Sequence, residues 1–413
     1  MSFQPHRGSE PLISVEEAQS RVLAAIGIID TEIVTLGDAL NRVLREDIAA
    51  SHDIPSDDNS AMDGYAVRAE DVANAPVTLR VIGDIPAGRV ASGAVEPGTA
   101  MRIMTGALLP DGADAIVQVE LTDGGTDTVH IRERVTRGTN IRKRGEDMRA
   151  GDVVLRAGTR IGPGEIGVLA GAQRGSVVVS RRPTIAILST GDELVEVGEP
   201  LGAGQVINSN AWSLAALAQQ HGAIPQQLGI VRDDRDATIA ALQRALASDF
   251  VITSGGVSVG AYDFVKDALD ALGAETMFWR IAMKPGKPVV LSRVGERLIF
   301  GLPGNPVSSM VSFLLFVAPA LRKVMGMTTD ILPPVANVRL LAPLRSKGDR
   351  RAYLRVRVST DESGELVAQP MTAQGSGVST SMVGANGLAI VDAGVTSIDA
   401  GRIVKTLLIG FNA

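Results

Sequence analysis

Acidic side chains, glycines and lysines crowd into a few short loops of this chain, and their spacing suits an anionic ligand. The loop "STGDEL" carries Asp192 and Glu193, and "VRDDRD" carries Asp233 and Asp234. The stretch "ITSGGVSVGAYDF" (252–264) places Gly255, Gly256 and Gly260 ahead of Asp263, which opens a helical pattern. Glycine amides and a helix N-terminus cradle anions. Carboxylates nearby would repel a bare phosphate, so a divalent cation bridging the two is the chemistry these residue types imply. The competing reading of each loop is structural, with Asp263 as a helix cap and the glycines as a turn. Three such loops on one rim favour a ligand site.

Two further turns follow. "MKPGKP" (283–288) holds Lys284 and Lys287 on a proline-stiffened loop, either an anion contact or a solvated turn. "LPGNP" (302–306) puts Asn305 before Pro306, a good helix start. Earlier, "DNSAMDGYAVR" contains the turn signal Asp63-Gly64. "NIRKRGEDM" sets Arg142, Lys143 and Arg144 beside Glu146 and Asp147, which also suits a salt-bridged loop. The three tyrosines, Tyr65, Tyr262 and Tyr353, all fall in segments singled out on other grounds.

The elements that must position these loops follow from the hydrophobic pattern. Ser14 and Glu17 read as a capping box, and Val15, Ala18, Val22 and Ile26 keep a helical face. Residues 51–144 alternate short apolar runs with turns, a β-rich pattern. Residues 183–330 alternate strands ("TIAILST", "PQQLGIV", "DFVITS") with helices, one of them "NAWSLAALAQQHG" with Asn210 as its cap, which predicts a parallel, doubly wound sheet. Ligands of such sheets sit beyond the carboxyl ends of the strands. After Pro333 and Pro334 the chain returns to short strands, a small barrel.

Composition narrows the chemistry. The 413 residues include no cysteine, which excludes disulfides, thiolate metal sites and cysteine nucleophiles and suits a reducing cytoplasm. Four scattered histidines (His6, His52, His130, His221) show no metal-ligand spacing, so a metal here is an oxygen-bound one such as Mg²⁺. A net charge of −6 gives no argument for nucleic acid. The apolar run 307–321 is shorter than the roughly 20 residues of a membrane span and reads as a buried core helix. No run reads as a signal peptide.

The motifs "DNSAMDGYAVR", "RIMTGA", "NIRKRGED", "STGDEL", "VRDD", "TSGGVSVGAYD", "KPGKP" and "GLPGNP" together resemble the molybdopterin molybdenumtransferase family, to which the C-terminal domain of gephyrin is related. The resemblance implies four domains: a helical linker domain (1–50 plus 145–182), an inserted β-rich domain (51–144), a doubly wound α/β molybdopterin-binding domain (183–330) and a C-terminal β-barrel (331–413). It implies insertion of molybdenum from molybdate into adenylylated molybdopterin with release of AMP and assistance from Mg²⁺. A homodimer and the molybdopterin adenylyltransferase are the implied protein partners, with no nucleic acid, no membrane and a cytoplasmic setting.

Carried over residue by residue, catalytic roles fall to Asp63, Glu193, Asp233 and Asp263, and metal binding to Glu193, Asp233 and Asp263. Substrate binding falls to Thr190, Gly191, Ser254, Gly255, Gly256, Ser258, Gly260, Lys284, Lys287 and Asn305, and to Thr105, Arg142 and Asp147 of the inserted domain, which would face the partner subunit. Arg350 and Ser376 match more loosely. The other reading is a non-catalytic molybdopterin-binding or scaffolding protein on the same fold. The acidic set as a whole favours the enzyme.

Overall fold

The computed structural model describes residues 12–256 and 264–410. The first helix, Val15–Ala24, starts where the Ser14 side chain accepts the Glu17 amide N–H at 3.0 Å. Its buried face (Val15, Ala18, Val22) packs into the core of the α/β unit, which Val43 also joins. The segment after this helix pairs with a later return of the chain. Strand Thr31–Thr35 runs antiparallel to Ser176–Ser180, and Ile48–Ala49 to Val153–Leu155. Helix Pro163–Gly171, with proline at its start, completes a small core with Leu44, Ile48, Ile161 and Val179.

Between these halves lies a five-stranded sheet in the spatial order Ala115–Gln118, Gly64–Val67, Thr99–Ile103, Val77–Ile85, Thr128–Ile131. Successive side chains of Gly64–Val67 enter different cores, Tyr65 and Val67 one and Ala66 the other, as the two-residue period of a strand requires. Tyr65 is fully buried and its hydroxyl donates to the Gly125 carbonyl at 2.9 Å, so it is a core residue. Tyr353 is buried as well, and burial pushes its hydroxyl up to about 12. Tyr262 lies outside the described residues.

The central sheet has the order Ile224–Val231, Thr184–Thr190, Phe250–Ser254, Arg297–Leu302, Pro288–Val294, Glu275–Arg280. Its first four strands are parallel. The three strands named from the sequence are parallel as expected, and the last two of the sheet, which the sequence reading did not name, pair antiparallel. The reason is local: Val294 pairs with Arg297 across Gly295 and Glu296, and a two-residue connection makes a hairpin, never a crossover. Strand Thr184–Thr190 is apolar over most of its length because both faces are covered. Ile185 and Ile187 join one core, Ala186 and Leu188 the other. The apolar helical run Pro306–Val324 is long enough by length and composition to cross a membrane, yet 83% of its most apolar window is buried within the protein, as for a core helix.

The C-terminal strands close a five-stranded barrel: Arg351–Thr360 pairs with both Leu366–Pro370 and Gly387–Val391, and Val335–Leu340 and Ile403–Leu408 complete the ring. A two-residue strand of the α/β unit, Met283–Lys284, adds to the barrel in parallel with Arg351 and Ala352. That pairing and the Ser376 carbonyl, which accepts the Val307 N–H at 3.0 Å, tie the barrel to the sheet domain.

Candidate functional site

The four parallel strands end at one cavity of about 690 Å³. Thr190, Gly191 and Glu193 reach it from the first strand end, Asp233 from the second, Ser254, Gly255 and Gly256 from the third, and Asn305 from the fourth. Gly377, beside Ser376, brings the barrel to the same rim. Eight of the residues singled out in the sequence are thus collected by strand geometry alone. Ser258, Gly260 and Asp263 lie outside the described residues.

The two adjacent aspartates divide their work. The Asp234 side chain accepts the Ala237 N–H at 2.7 Å and caps helix Arg235–Ala245. Asp233 is left to the cavity. Burial, and then the neighbouring carboxylates of Asp192 and Glu193, push its carboxyl above the usual range. The loops are laced together: the Asp233 N–H donates to the Asp192 carboxylate at 3.1 Å, and Arg232 donates to the carbonyls of Asp192 and Leu194 at 2.7 and 3.2 Å. Among the described residues no three acidic or histidine side chains stand together as a metal cage.

The glycines turn out to be needed by the backbone before any ligand arrives. Gly255 and Gly256 have φ of +91° and +65°, a region that favours glycine. A Cβ on Gly255 would lie 2.7 Å from the Thr190 carbonyl oxygen. The strand ends are therefore packed on one another, and crowding there strains the fold as well as the cavity.

The floor of the cavity holds side chains that sequence reasoning missed. Helix Ser209–Gln220 begins at Asn208, not Asn210. Asn210 is inside the helix, and its amide donates to Ser254 Oγ at 2.9 Å and to the Gly304 carbonyl at 2.8 Å. Its carbonyl oxygen and Thr190 Oγ1 are shielded from solvent with no partner. A shielded polar atom without a partner costs on the order of 1–3 kcal/mol, so these two mark places where a ligand could complete the bonding. Arg355 is the other omission. Fully buried, with its guanidinium pKa lowered to about 10 by burial, it donates to Ser381 Oγ and to the carbonyls of Ala373 and Gly375. It thereby fixes the loop that carries Ser376 and Gly377. An arginine in "YLRVRVS" gives no sequence signal for that role.

The other candidates lie elsewhere in the chain. Asp63 Oδ1 accepts both the N–H and the hydroxyl of Thr105, each at 2.7 Å, and these bonds hold its carboxyl below the usual range. Arg142 pairs in a short strand with Asn59, and the Asp147 N–H donates to the Ile54 carbonyl. Lys143 pairs with Asp58 at 2.7 Å and Arg144 with Asp53 at 2.6 Å, so this loop is indeed salt-bridged. None of Asp63, Thr105, Arg142 and Asp147 lines the cavity of its own chain. Lys284, Lys287 and Arg350 do not line it either: Pro288, next to Lys287, reaches the cavity wall, and Arg350 donates to the Met283 carbonyl at 3.2 Å while pairing with Asp349.

Known proteins match this architecture along its length. Residues 13–172 match the MoeA N-terminal region (domain I and II), residues 186–323 a probable molybdopterin binding domain, and residues 337–409 the MoeA C-terminal region (domain IV). A molybdopterin molybdenumtransferase of Bacillus subtilis is 40% identical over 407 residues, covering 96% of this chain and 94% of that protein. One from a Nostoc species is 39% identical over 386 residues, 92% of this chain and 88% of that one. The crystal structure of the molybdopterin biosynthesis moeA protein from Pyrococcus horikoshii superposes with a TM-score of 0.81 at 31% identity, covering 96% of this chain and 100% of that chain. With these relatives matched nearly end to end, the chain belongs to the molybdopterin molybdenumtransferase family.

Proposed function

We propose that this protein inserts molybdenum from molybdate into adenylylated molybdopterin, releasing AMP. The observation that carries the reading is the convergence of Thr190, Glu193, Asp233, Gly255, Asn305 and the barrel's Gly377 on one cavity at the carboxyl ends of four parallel strands. The partnerless Thr190 hydroxyl and Asn210 carbonyl would orient the polar groups of the pterin. Lys284, Lys287 and Arg350 supply positive charge for the oxyanion and the phosphates.

The donor set fits a hard cation. Asp233 titrates above its usual range partly because Glu193 and Asp192 repel it, and a cation between them would relieve that repulsion. Glu193 and Asp233, with Asp263, would hold Mg²⁺, which neutralises phosphate charge when bound. The chain's own contribution is to place the phosphoanhydride and molybdate together beside these acids.

Asp63, Thr105, Arg142 and Asp147 belong to the same reading through a homodimer in which the inserted sheet of one subunit covers the cavity of the other. Receipt of substrate from the molybdopterin adenylyltransferase and a cytoplasmic setting complete it. The test is incubation of the purified chain with adenylylated molybdopterin, Mg²⁺ and molybdate, with tungstate in parallel. AMP and metallated pterin are expected in equal amounts. Binding without AMP release overturns the catalytic reading and leaves a molybdopterin-binding protein.

A further inference from the structure

A second cavity, of about 270 Å³, shares no residue with the candidate site. It forms where three parts of the chain meet. Residues 40–43 are bridged to Arg160, helix Ser209–Gln220 ends at His221, and helix Ala318–Val324 ends at Met325. Arg42, Arg160, Arg182 and Arg322 all line it, and among the described residues no aspartate or glutamate does.

Arg42 is paired with Glu32 and needs nothing more. Among the described residues none of the other three has a carboxylate within salt-bridge distance, although Asp330 acts on Arg322 from farther away. Arg160 donates to Asn41 Oδ1 at 2.9 Å, and Arg322 to the carbonyls of Asp330 and Ile331 at 3.1 and 3.3 Å. Burial and the nearby Arg160 lower the Arg322 guanidinium from its ordinary value, and Asp330 offsets only part of this. His221, stacked on Phe313 at 6.0 Å, is held down to about 4 by burial and then by Arg322 and Arg160. Its Nε2 is shielded and without a partner.

A structural explanation is available for part of this charge. Each helix C-terminus carries roughly half a negative charge. Two such ends offset about one of the three guanidinium charges and Asp330 part of another, so between one and two remain. One carboxylate would not balance them. The volume also exceeds the roughly 30 Å³ of one water several-fold. Planar guanidinium forks match phosphoryl oxygens, and a neutral imidazole can add one more donor.

We propose that this cavity is a binding site for a small phosphorylated anion bearing two or more negative charges. It is separate from the molybdopterin site, and its case does not depend on the reading of that site.

The probe is inorganic pyrophosphate in magnesium-free buffer, titrated into the full-length chain. With only four histidines in the sequence, the His221 ring resonance can be followed by nitrogen–proton NMR. Pyrophosphate is expected to shift that resonance saturably in the parent. Arg160→Ser with Arg182→Ser, both exposed positions, should weaken binding by roughly tenfold or more while the thermal midpoint stays put. A His221 resonance that does not move in the parent overturns the proposal, and so does equal affinity in the double variant. Citrate binding as tightly as pyrophosphate overturns the phosphoryl assignment.

Discussion

Strand Phe250–Ser254 begins and ends in opposite chemistry. At its start, Asp249 accepts two bonds from Arg181 at 2.7 Å, two from Thr184 at 2.8 and 3.0 Å, and one from Arg297 at 3.1 Å. Burial alone would raise this carboxyl, yet the Arg181 and Thr184 bonds bring it to about 2. At the strand's end, Gly255 is held in a left-handed conformation, Asp233 is pushed up by burial and by its acidic neighbours, and Thr190 Oγ1 has no partner. One end has its lone pairs occupied. The other keeps bonding capacity open and like charges close. The first arrangement stabilises a fold, whereas the second is tolerable only where something binds. Stability and function are therefore expected to part company along a single strand.

The sharpest break in that contrast comes from Glu193→Gln. Removing one charge from the open end should lower AMP release by roughly 10³-fold, about 4 kcal/mol in the barrier. The thermal midpoint should stay within a few degrees of the parent. Turnover within a few-fold of the parent would instead place the chemistry on other residues. At the closed end, Asp249→Asn should do the reverse. It leaves Arg181 and Arg297 under-paired, and the chemical-denaturation midpoint should fall by the equivalent of about 3 kcal/mol. Its kcat/KM at low temperature should hardly change.

Acid should reproduce a milder version. Because the folded Asp249 carboxyl titrates near 2 against a usual 3.8, its stabilisation is complete above about pH 4. It is lost as pH falls from there toward 2, and amounts to about 2 kcal/mol. In Asp249→Asn this share of the acid sensitivity should vanish, as pH-dependent denaturation can measure. Gly255→Ala tests the boundary between the two behaviours. The added Cβ meets the Thr190 carbonyl in a left-handed residue, so about 1–2 kcal/mol of stability should go together with some pterin affinity. Lost affinity at unchanged stability would show that the glycine serves the ligand alone.

The smallest signal concerns the inserted sheet. Mixed after subunit exchange, Asp63→Ala and Glu193→Ala chains should recover about a quarter of parent activity, since half the dimers are mixed and each then has one intact site. No recovery would confine the site to one chain.

Much of the open end is legible in the amino-acid sequence, because short apolar runs ending in Gly/Asp loops identify parallel strands and their carboxyl ends. What is not legible there depends on rotation and distance. Shifting a helix start by two residues turns a side chain through roughly 200°, which is why Asn210, read as a cap, faces the cavity floor instead. Arg355 acts across the barrel on residues 373–381, a contact that no local pattern encodes. The hairpin through Gly295 and Glu296 is a readable signal, since two strands a dipeptide apart cannot be parallel. Tyr65 and Tyr353 mislead because rarity says nothing about burial.

The pairing of Thr31–Thr35 with Ser176–Ser180 also bears on how the protein is made. A nascent chain leaves the first of these strands unpaired, with Val34 outside its core, long before the second exists. At about 5–20 residues per second the wait is on the order of ten seconds. During it the inserted sheet can fold on its own cores, Tyr65 with Val67 and Ala66 with Ile103. Once folded, it shortens the loop that the late strand must close, and loop-closure entropy falls with it. The neck where Ile48–Ala49 meets Val153–Leu155 then acts as the clasp. Ribosome stalling between the inserted sheet and residue 176 should therefore leave an unpaired, chaperone-binding strand at the N-terminus, with the sheet behind it already folded.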